Sequence, residues 1–430
     1  MTFILETPAI IRVLAIFLVI MVAIRMKVAL GNSFLLGSVL MGLLFGMDLQ
    51  SMVSVMLRSV FDPKTLSLAV IVSLILVLSS SLERSGQMRR LLSNFKGLVQ
   101  HQKINLIIFP ALIGLLPMPG GAVFSAPMVK DLGKGQALTP SKLSYVNYWF
   151  RHIWEYCWPL YPGILLVTVL ADISITSFVF YSIPVTLVAL LLGYLPILNL
   201  PGEPQKETGE LTKKPIVPFL TELTPILIVI IPGLMLGMVL SRLAPSLSIS
   251  RELGLHISLL AGIFWVWFSN RFTAREVGRL LFSFDILNMI YMVVTILLFK
   301  GILEHSHAAQ EISMELIDLR IPLLVIIMFL PFLIGLISGY TLAYVGVALP
   351  ILIPLIKTYG EMAFIFPYTM LIMVSGFAGV LLSPLHLCFI LSNQYFGADL
   401  KEVYRHLWYP TGGILLFGVC YFLAGYWFLL

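Results

Sequence analysis

Charge is scarce in this sequence: Asp, Glu, Lys and Arg make up 11% of its 430 residues, against roughly 25% in an ordinary soluble domain. So few charges cannot cover a water-facing surface. Long polar stretches are also missing, and apolar runs of about 20 residues, enough for a ~30 Å hydrocarbon core, recur from end to end. That excludes a separate catalytic or nucleic-acid-binding domain. Cysteine is limited to Cys157, Cys388 and Cys420, each isolated in an apolar segment without paired spacing. Neither a disulfide framework nor a zinc motif is indicated, and the three read as small buried apolar side chains. No metal and no cofactor is expected. The two histidines of His305-Ser306-His307 point apart on a helix and lack a third ligand. No basic region precedes the first apolar run, which therefore reads as a retained span rather than a signal peptide.

What is present is apolar: 59% hydrophobic residues and a mean hydropathy of +1.00. The chain is expected to be an all-α polytopic membrane protein of a prokaryotic inner membrane, with the lipid bilayer as its main partner and no nucleic acid. Its net charge of +6 comes from basic residues in short loops, where the charge sets orientation.

The chain also repeats itself. "LERS" at Leu82 recurs as "LEHS" at Leu303, and "PALIGL" at Pro110 recurs as "PFLIGL" at Pro331, both 221 residues on. At that offset, 15 of the 58 positions from 58 to 115 are identical, where chance in so apolar a composition gives roughly 5. "WPLYPGILL" at Trp158 pairs with "SPLHLCFIL" at Ser383 at an offset of 225. The chain thus reads as a first repeat over 1–198, a linker over 199–216 and a second repeat over 217–430. In the first repeat, spans are expected near 9–29, 32–48 and 65–83, an amphipathic stretch over 84–103, an interrupted segment over 104–129, a broken span over 145–170 and a closing span over 174–198. The second repeats this plan, with spans in 217–303, an interrupted segment over 321–356 and a broken span over 364–395.

"FPALIGLLPMPGGAVFSAPMV", residues 109–129, decides the topology. If it crosses the membrane, basic residues divide almost evenly between the two sides. If it enters and returns as a hairpin in both copies, 18 Lys and Arg collect on one side against 7 on the other, with only Arg12 and Arg151 left inside spans. The positive-inside rule selects the hairpin. Each copy then has five transmembrane helices plus one re-entrant hairpin, and an odd number of spans makes the two repeats inverted. Both termini become extracytoplasmic. Irregular backbone is tolerated at membrane depth only where protein or a wet cavity surrounds it, and such breaks mark the binding sites of secondary transporters.

Hairpin tips reading "LPMPGGAVFSAP" and "ISGYTLAYVGVALP", with two copies of spans, hairpin and broken span, resemble the ion-transporter superfamily. That group holds the divalent-anion/sodium symporters and the gluconate and citrate permeases. Within it the chain looks closest to an uncharacterised integral-membrane family of about ten spans. The resemblance implies an elevator mechanism in a homodimer. Hairpins and broken spans would move as a transport domain (about 104–198 and 321–430) against a scaffold from 1–83 and 217–303. Sodium-coupled dicarboxylate carriers place Ser-Asn-Thr at each tip, whereas the tips here read Pro-Met-Pro-Gly-Gly and Ser-Gly-Tyr-Thr.

The densest polar cluster inside a span is "YVNYWFRHIWEYCWPLYPG" from Tyr145. On a continuous helix Arg151 and Glu155 would stand at i,i+4, either pairing with each other or leaving Arg151 and His152 to face a substrate anion. Substrate contacts are expected from Pro119, Gly120, Gly121, Arg151, His152, Ser338, Gly339, Thr341, Ser375, Gly376 and Ser383. His152 and Glu155 are the candidate coupling groups. The glycines could equally be helix-packing positions. Glu83 and Glu304 recur at equivalent span ends and read as structural, Asp285 as a solvated helix start, and Arg12 as a side chain that snorkels to the surface.

These features lead to a secondary active transporter for a small organic anion, a carboxylate, by symport with protons or sodium. A sodium/proton antiporter is the alternative. A membrane-embedded transferase with His152 and Glu155 as acid and base is a third reading, but no nucleophile constellation accompanies them, and an enzyme is not expected. The basic-residue count predicts that both termini and 304–320 are extracytoplasmic while 84–103 and the linker near Lys213 are cytoplasmic. A single cysteine near Lys213 should resist a membrane-impermeant maleimide in intact cells; labelling from outside would reverse the assignment.

Overall fold

The structure is a computed structural model that describes residues 7–95, 98–99, 101–118, 120–133, 138–198 and 215–429. Most of the expected linker, and Pro119, lie outside the described residues. Among those described there are twenty α-helices and no strand. The first ten are α1 (Ala9–Arg25), α2 (Leu30–Leu44), α3 (Leu49–Val60), α4 (Pro63–Arg84), α5 (Gln87–Phe95), α6 (Gln102–Gly114), α7 (Ala122–Gly133), α8 (Pro140–Arg151), α9 (Pro162–Ala171) and α10 (Ile175–Leu198). The other ten are α11 (Ile216–Leu243), α12 (Ser250–Ser269), α13 (Ala274–Leu281), α14 (Phe284–His305), α15 (Ala308–Asp318), α16 (Leu323–Ser338), α17 (Thr341–Thr358), α18 (Ile365–Leu382), α19 (Leu387–Phe396) and α20 (Leu400–Leu429). Eight helical segments are long and apolar enough to cross a membrane. α1 and α2, expected as spans, have 17 and 15 residues.

Helix starts follow local capping chemistry. Asp48 caps α3 by accepting from the Ser51 N–H at 2.8 Å, and Asp62 caps α4 by accepting from the Thr65 N–H at 3.1 Å, with Pro63 at the first helical position. Thr139 precedes Pro140 in the same way at α8, and Thr273 with Glu276 forms a capping box at α13. The surface helix α3 was not anticipated from the sequence.

Starts also recur between the halves. α4, α5 and α6 begin at 63, 87 and 102, and α14, α15 and α16 at 284, 308 and 323, a constant 221 later. α8, α9 and α10 begin at 140, 162 and 175, and α18, α19 and α20 at 365, 387 and 400, a constant 225 later. Packing between the halves is reciprocal: α4 meets α12 as α14 meets α2, α5 meets α11 as α15 meets α1, and α9 meets α17 as α19 meets α7.

Two antiparallel helix pairs pack within this framework. In the first, α6 packs along α8 and the residues that follow it, with Trp154 on Ala111 and Trp158 on Leu115. α7 runs back, from Ala122 beside Asn147 to Gly133 beside Leu143. Both its feet therefore lie at one end of the bundle, where Lys103 donates to the Leu198 carbonyl at 3.1 Å and Ser141 to Glu402 at 3.0 Å. α6, at 13 residues, is only about 20 Å long. The second hairpin, α16 and α17, is closed at its feet by Tyr359 donating to the Ile321 carbonyl at 3.4 Å.

Polar clusters fasten the two ends of the bundle. At one, Arg90 bonds Glu222 at 2.8 Å and Asn270 at 2.7 Å. At the other, Arg12 pairs with Glu311 at 2.5 Å and donates to the Leu44 carbonyl at 3.1 Å. Arg12 is 7% exposed and lies over the Phe45 ring, so it is held by a partner from the second half rather than snorkelling. Asp172 receives a hydrogen bond from Lys64 at 2.7 Å; that bond, with the charges of Lys64, Arg251 and Lys300, holds its carboxyl below the usual range.

α16 and α18 pack through small residues. A Cβ on Gly335 would lie 2.1 Å from the Gly376 carbonyl oxygen, and one on Gly379 would lie 2.1 Å from that of Phe332. Backbone cannot swing aside as a side chain can. Gly379→Leu is therefore expected to lower stability by at least about 1–3 kcal/mol, read as a lower melting temperature and a smaller monodisperse fraction in detergent. Gly412→Leu, whose Cβ has nothing within 4 Å, should melt like the parent.

Candidate functional site

The hairpin tips and the two helix breaks converge on one buried cluster. The first break comes earlier than the prolines suggest. α8 ends at Arg151, a 3-10 turn covers Ile153–Tyr156, and α9 restarts at Pro162, where the ring can occupy the first helical position. α18 instead continues to Leu382 and α19 restarts at Leu387. Arg151, His152 and Glu155 thus sit in an interruption rather than on successive turns of one helix.

Aromatic side chains from the break satisfy the end of the neighbouring helix α6 at the first tip. Trp154 Nε1 donates to the Ala111 carbonyl at 2.8 Å, Trp158 Nε1 to Leu115 at 2.9 Å and the Tyr161 hydroxyl to Gly114 at 2.7 Å. These are carbonyls at the C-terminal end of α6, which an apolar interior would otherwise leave unpaired at a cost of several kcal/mol each.

Arg151 is 3% exposed and passes over the first tip. Its Nη2 donates to the Met118 carbonyl at 2.7 Å, while Nε and Nη1 have no hydrogen-bond partner among the described residues. Gly121 makes room for it: a Cβ there would come within 2.3 Å of Nη1. Gly120 adopts φ +70, as the turn requires. The Arg151–Glu155 pair of a continuous helix is not formed. Glu155 accepts from Thr341 Oγ1 of the second tip at 2.8 Å and lies 3.9 Å from His152 Nε2.

Gly339 has φ +65, and a Cβ on it would lie 2.8 Å from the His386 nitrogen and 2.9 Å from Ser383 Oγ. Ser383 is fully buried and accepts from the Leu385 N–H at 3.2 Å. Ser338 Oγ donates to the Ile334 carbonyl of its own helix at 2.7 Å. Ser375 donates to the Met328 carbonyl of α16, and Gly376 lies under the Tyr344 ring, so these two are engaged in helix packing. The structure therefore gathers Gly120, Gly121, Arg151, His152, Gly339, Thr341 and Ser383, and sets Ser375 and Gly376 apart. A crevice beside His152 is lined by Trp149, Ile153, Phe377 and Tyr156, whose hydroxyl has no partner among the described residues.

Cys388 is not isolated. It is buried, and its thiol joins the rings of His152 and His386 in a group whose ligand atoms lie within 4.8 Å of one another. The two Nε2 atoms are 3.2 Å apart. His386 and Cys388 flank the start of α19, while His152 is 234 residues away in sequence. No local spacing announces such a cluster; the only sign was that His386 and Cys388 stand within the repeat of the first break. His305 Nδ1 donates to the Gly301 carbonyl of its own helix at 2.9 Å and takes no part in it.

An all-helical protein with eight apolar helices of membrane-crossing length is a polytopic membrane protein. It belongs to the family described as "Protein of unknown function (DUF401)", whose profile matches residues 9–424. No curated protein matches the chain.

The Gly339 turn generates a test. Left-handed backbone costs a non-glycine residue roughly 1–2 kcal/mol, and the Cβ would press on the backbone at His386. Gly339→Val is expected to lower the melting temperature and to abolish any ligand-dependent stabilisation, whereas Gly360→Val, equally left-handed at φ +74 but with nothing within 4 Å, should lose stability alone.

Proposed function

We propose that the protein is a secondary active transporter, related to the ion-transporter superfamily, that carries a small organic anion across the inner membrane by an elevator mechanism. The observation that carries this reading is Arg151, a guanidinium 3% exposed with two nitrogens that have no partner among the described residues, held where a hairpin tip meets a helix break. A buried cation with free donors binds an oxyanion through charge-assisted hydrogen bonds, and a carboxylate matches the planar fork.

Inverted repeats support the same reading. Reciprocal packing implies a two-fold relation between the halves. Lys64, near the start of α4, bonds Asp172, and the charge of Lys300, in the last turns of α14, acts on the same carboxylate; this reading takes the two equivalent helices as antiparallel, with a two-fold axis across them. The hairpins then enter from opposite faces. The end carrying Arg84, Arg90 and Lys103 is the cytoplasmic one by the basic-residue rule. α6–α10 and α16–α20 form the moving body in this reading, and the remaining long helices the scaffold of a homodimer.

His152 and Glu155 are the groups available for proton coupling, since an imidazole titrates near physiological pH. Glu155, a buried carboxylate bonded across to Thr341, also keeps the sodium/proton antiporter as a second reading. Sodium could still be held by carbonyls at the breaks without a signature side chain.

Uptake of candidate carboxylates into proteoliposomes under an imposed pH or sodium gradient tests the function. Arg151→Lys is expected to weaken binding about ten- to hundredfold, the equivalent of one charge-assisted contact of roughly 1.5–3 kcal/mol, with little change in melting temperature. Proton-driven uptake should fall in His152→Gln. Uptake driven by sodium alone and intact in His152→Gln would refute proton coupling, and wild-type anion binding in Arg151→Lys would move the site elsewhere.

A further inference from the structure

We propose that His152, His386 and Cys388 form a binding site for a borderline-soft divalent metal of the zinc class, at the junction between the first helix break and the start of α19. This goes beyond the transport reading and stands on its own geometry; with an ion bound, His152 Nε2 and Glu155 would be its ligands and not free to carry a coupling proton.

Donor separations fit such an ion. Tetrahedral coordination with metal–nitrogen bonds of about 2.0–2.1 Å sets two imidazole nitrogens roughly 3.3 Å apart, and the two Nε2 atoms here are 3.2 Å apart. With a metal–sulfur bond of about 2.3 Å, the thiolate should stand roughly 3.5 Å from each nitrogen, and all three ligand atoms already lie within 4.8 Å. Small side-chain rotations close that gap.

The tautomer of His152 is also fixed for metal binding. Its Nδ1 lies 2.6 Å from the Tyr148 carbonyl, which can only accept, so Nδ1 carries the proton and the Nε2 lone pair points into the cluster. A ring nitrogen tied to a backbone carbonyl is the usual outer support of a metal-bound histidine. Without an ion, His386 Nε2 must donate its proton to His152 Nε2, which leaves His386 Nδ1 as a bare buried acceptor; that atom has no partner among the described residues.

Charge balance points the same way. The Glu155 carboxylate oxygen lies 3.9 Å from His152 Nε2 and can supply a fourth position. A thiolate, a carboxylate and a divalent cation sum to zero, which matters where His152, His386, Cys388 and Glu155 are each at most 8% exposed. Two imidazoles and a thiolate select zinc-like ions over magnesium or calcium. On binding, the thiol proton is released and the proton between the imidazoles passes to His386 Nδ1, so both rings stay neutral and affinity rises with pH through the thiol.

Cobalt(II) is the probe. The chelator-stripped full chain in detergent is expected to take up one Co²⁺ with the visible bands of tetrahedral coordination and a thiolate-to-cobalt absorption in the near ultraviolet, both displaced by Zn²⁺. The Cys157→Ser/Cys420→Ser double variant keeps Cys388 as its single thiol and should retain the thiolate band. Cys388→Ser should lose it, and His386→Gln should weaken binding at least about tenfold. If either of these last variants fails to fold, the double variant decides, because its band can come only from Cys388. Absence of the band from the double variant, or its persistence in folded Cys388→Ser, would overturn the proposal. No solute is present in this titration, so its result is independent of whether the protein carries an anion.

Discussion

A helix that ends inside an apolar interior must find partners for its terminal backbone groups, and that constraint shapes the centre of this protein. Each unpaired carbonyl or N–H at membrane depth costs several kcal/mol. The first half answers with large side chains: two indoles and a phenol donate to three carbonyls at the end of α6, and a guanidinium donates to the Met118 carbonyl at the tip. The second half answers with small ones. Ser338 and Ser383 bond backbone within two to four residues, and Gly339 lets the tip approach the backbone before α19. Two diverged copies of one plan thus meet one constraint by opposite means, so the centre has a guanidinium and aromatics from the first half and small residues from the second.

Much of the fold could be read from the sequence because repetition is insensitive to side-chain detail. The 221-residue offset seen in "LERS" and "LEHS" reappears in the starts of α4 and α14, α5 and α15, and α6 and α16. Proline placed the interruptions only roughly. Pro159 and Pro162 mark where a helix can restart, not where the preceding one stops, and α8 ends eight residues before Pro159. The assumed continuous helix put Glu155 over Arg151; the 3-10 turn carries it instead to Thr341 and His152. Arg12 looked unpaired for a related reason, since its partner Glu311 is 299 residues away. Cys388 read as apolar because no ligand neighbours it within a motif-sized window except His386, two residues earlier. Periodicity and spacing report what one helix does to itself. Contacts between the halves leave no such trace, and the polar centre is made of them.

An elevator requires two bodies whose shared surface offers little to hold a fixed register. The contacts between α17 and the proposed scaffold have that character: Gly346 faces Ile296 and Phe34, without a hydrogen bond in that contact. Where α9 meets α4, the facing residues include Leu68, Ile71, Leu165 and Val169. In a bilayer such surfaces exchange protein for lipid tails at small cost, because both are apolar. The polar ties lie elsewhere. Arg90 with Glu222 and Arg12 with Glu311 join surface helices to long helices at the bundle ends, and Thr341 with Glu155 joins the second tip to the first break within the proposed moving body. The Lys64–Asp172 bond is the exception, since it ties α4 to the end of α9. It is exposed at the Asp172 side, so water can replace it at small cost as the bodies part. On the proposed elevator reading, directional bonds fasten the parts that would keep their geometry, and the surfaces that would slide are those with few of them.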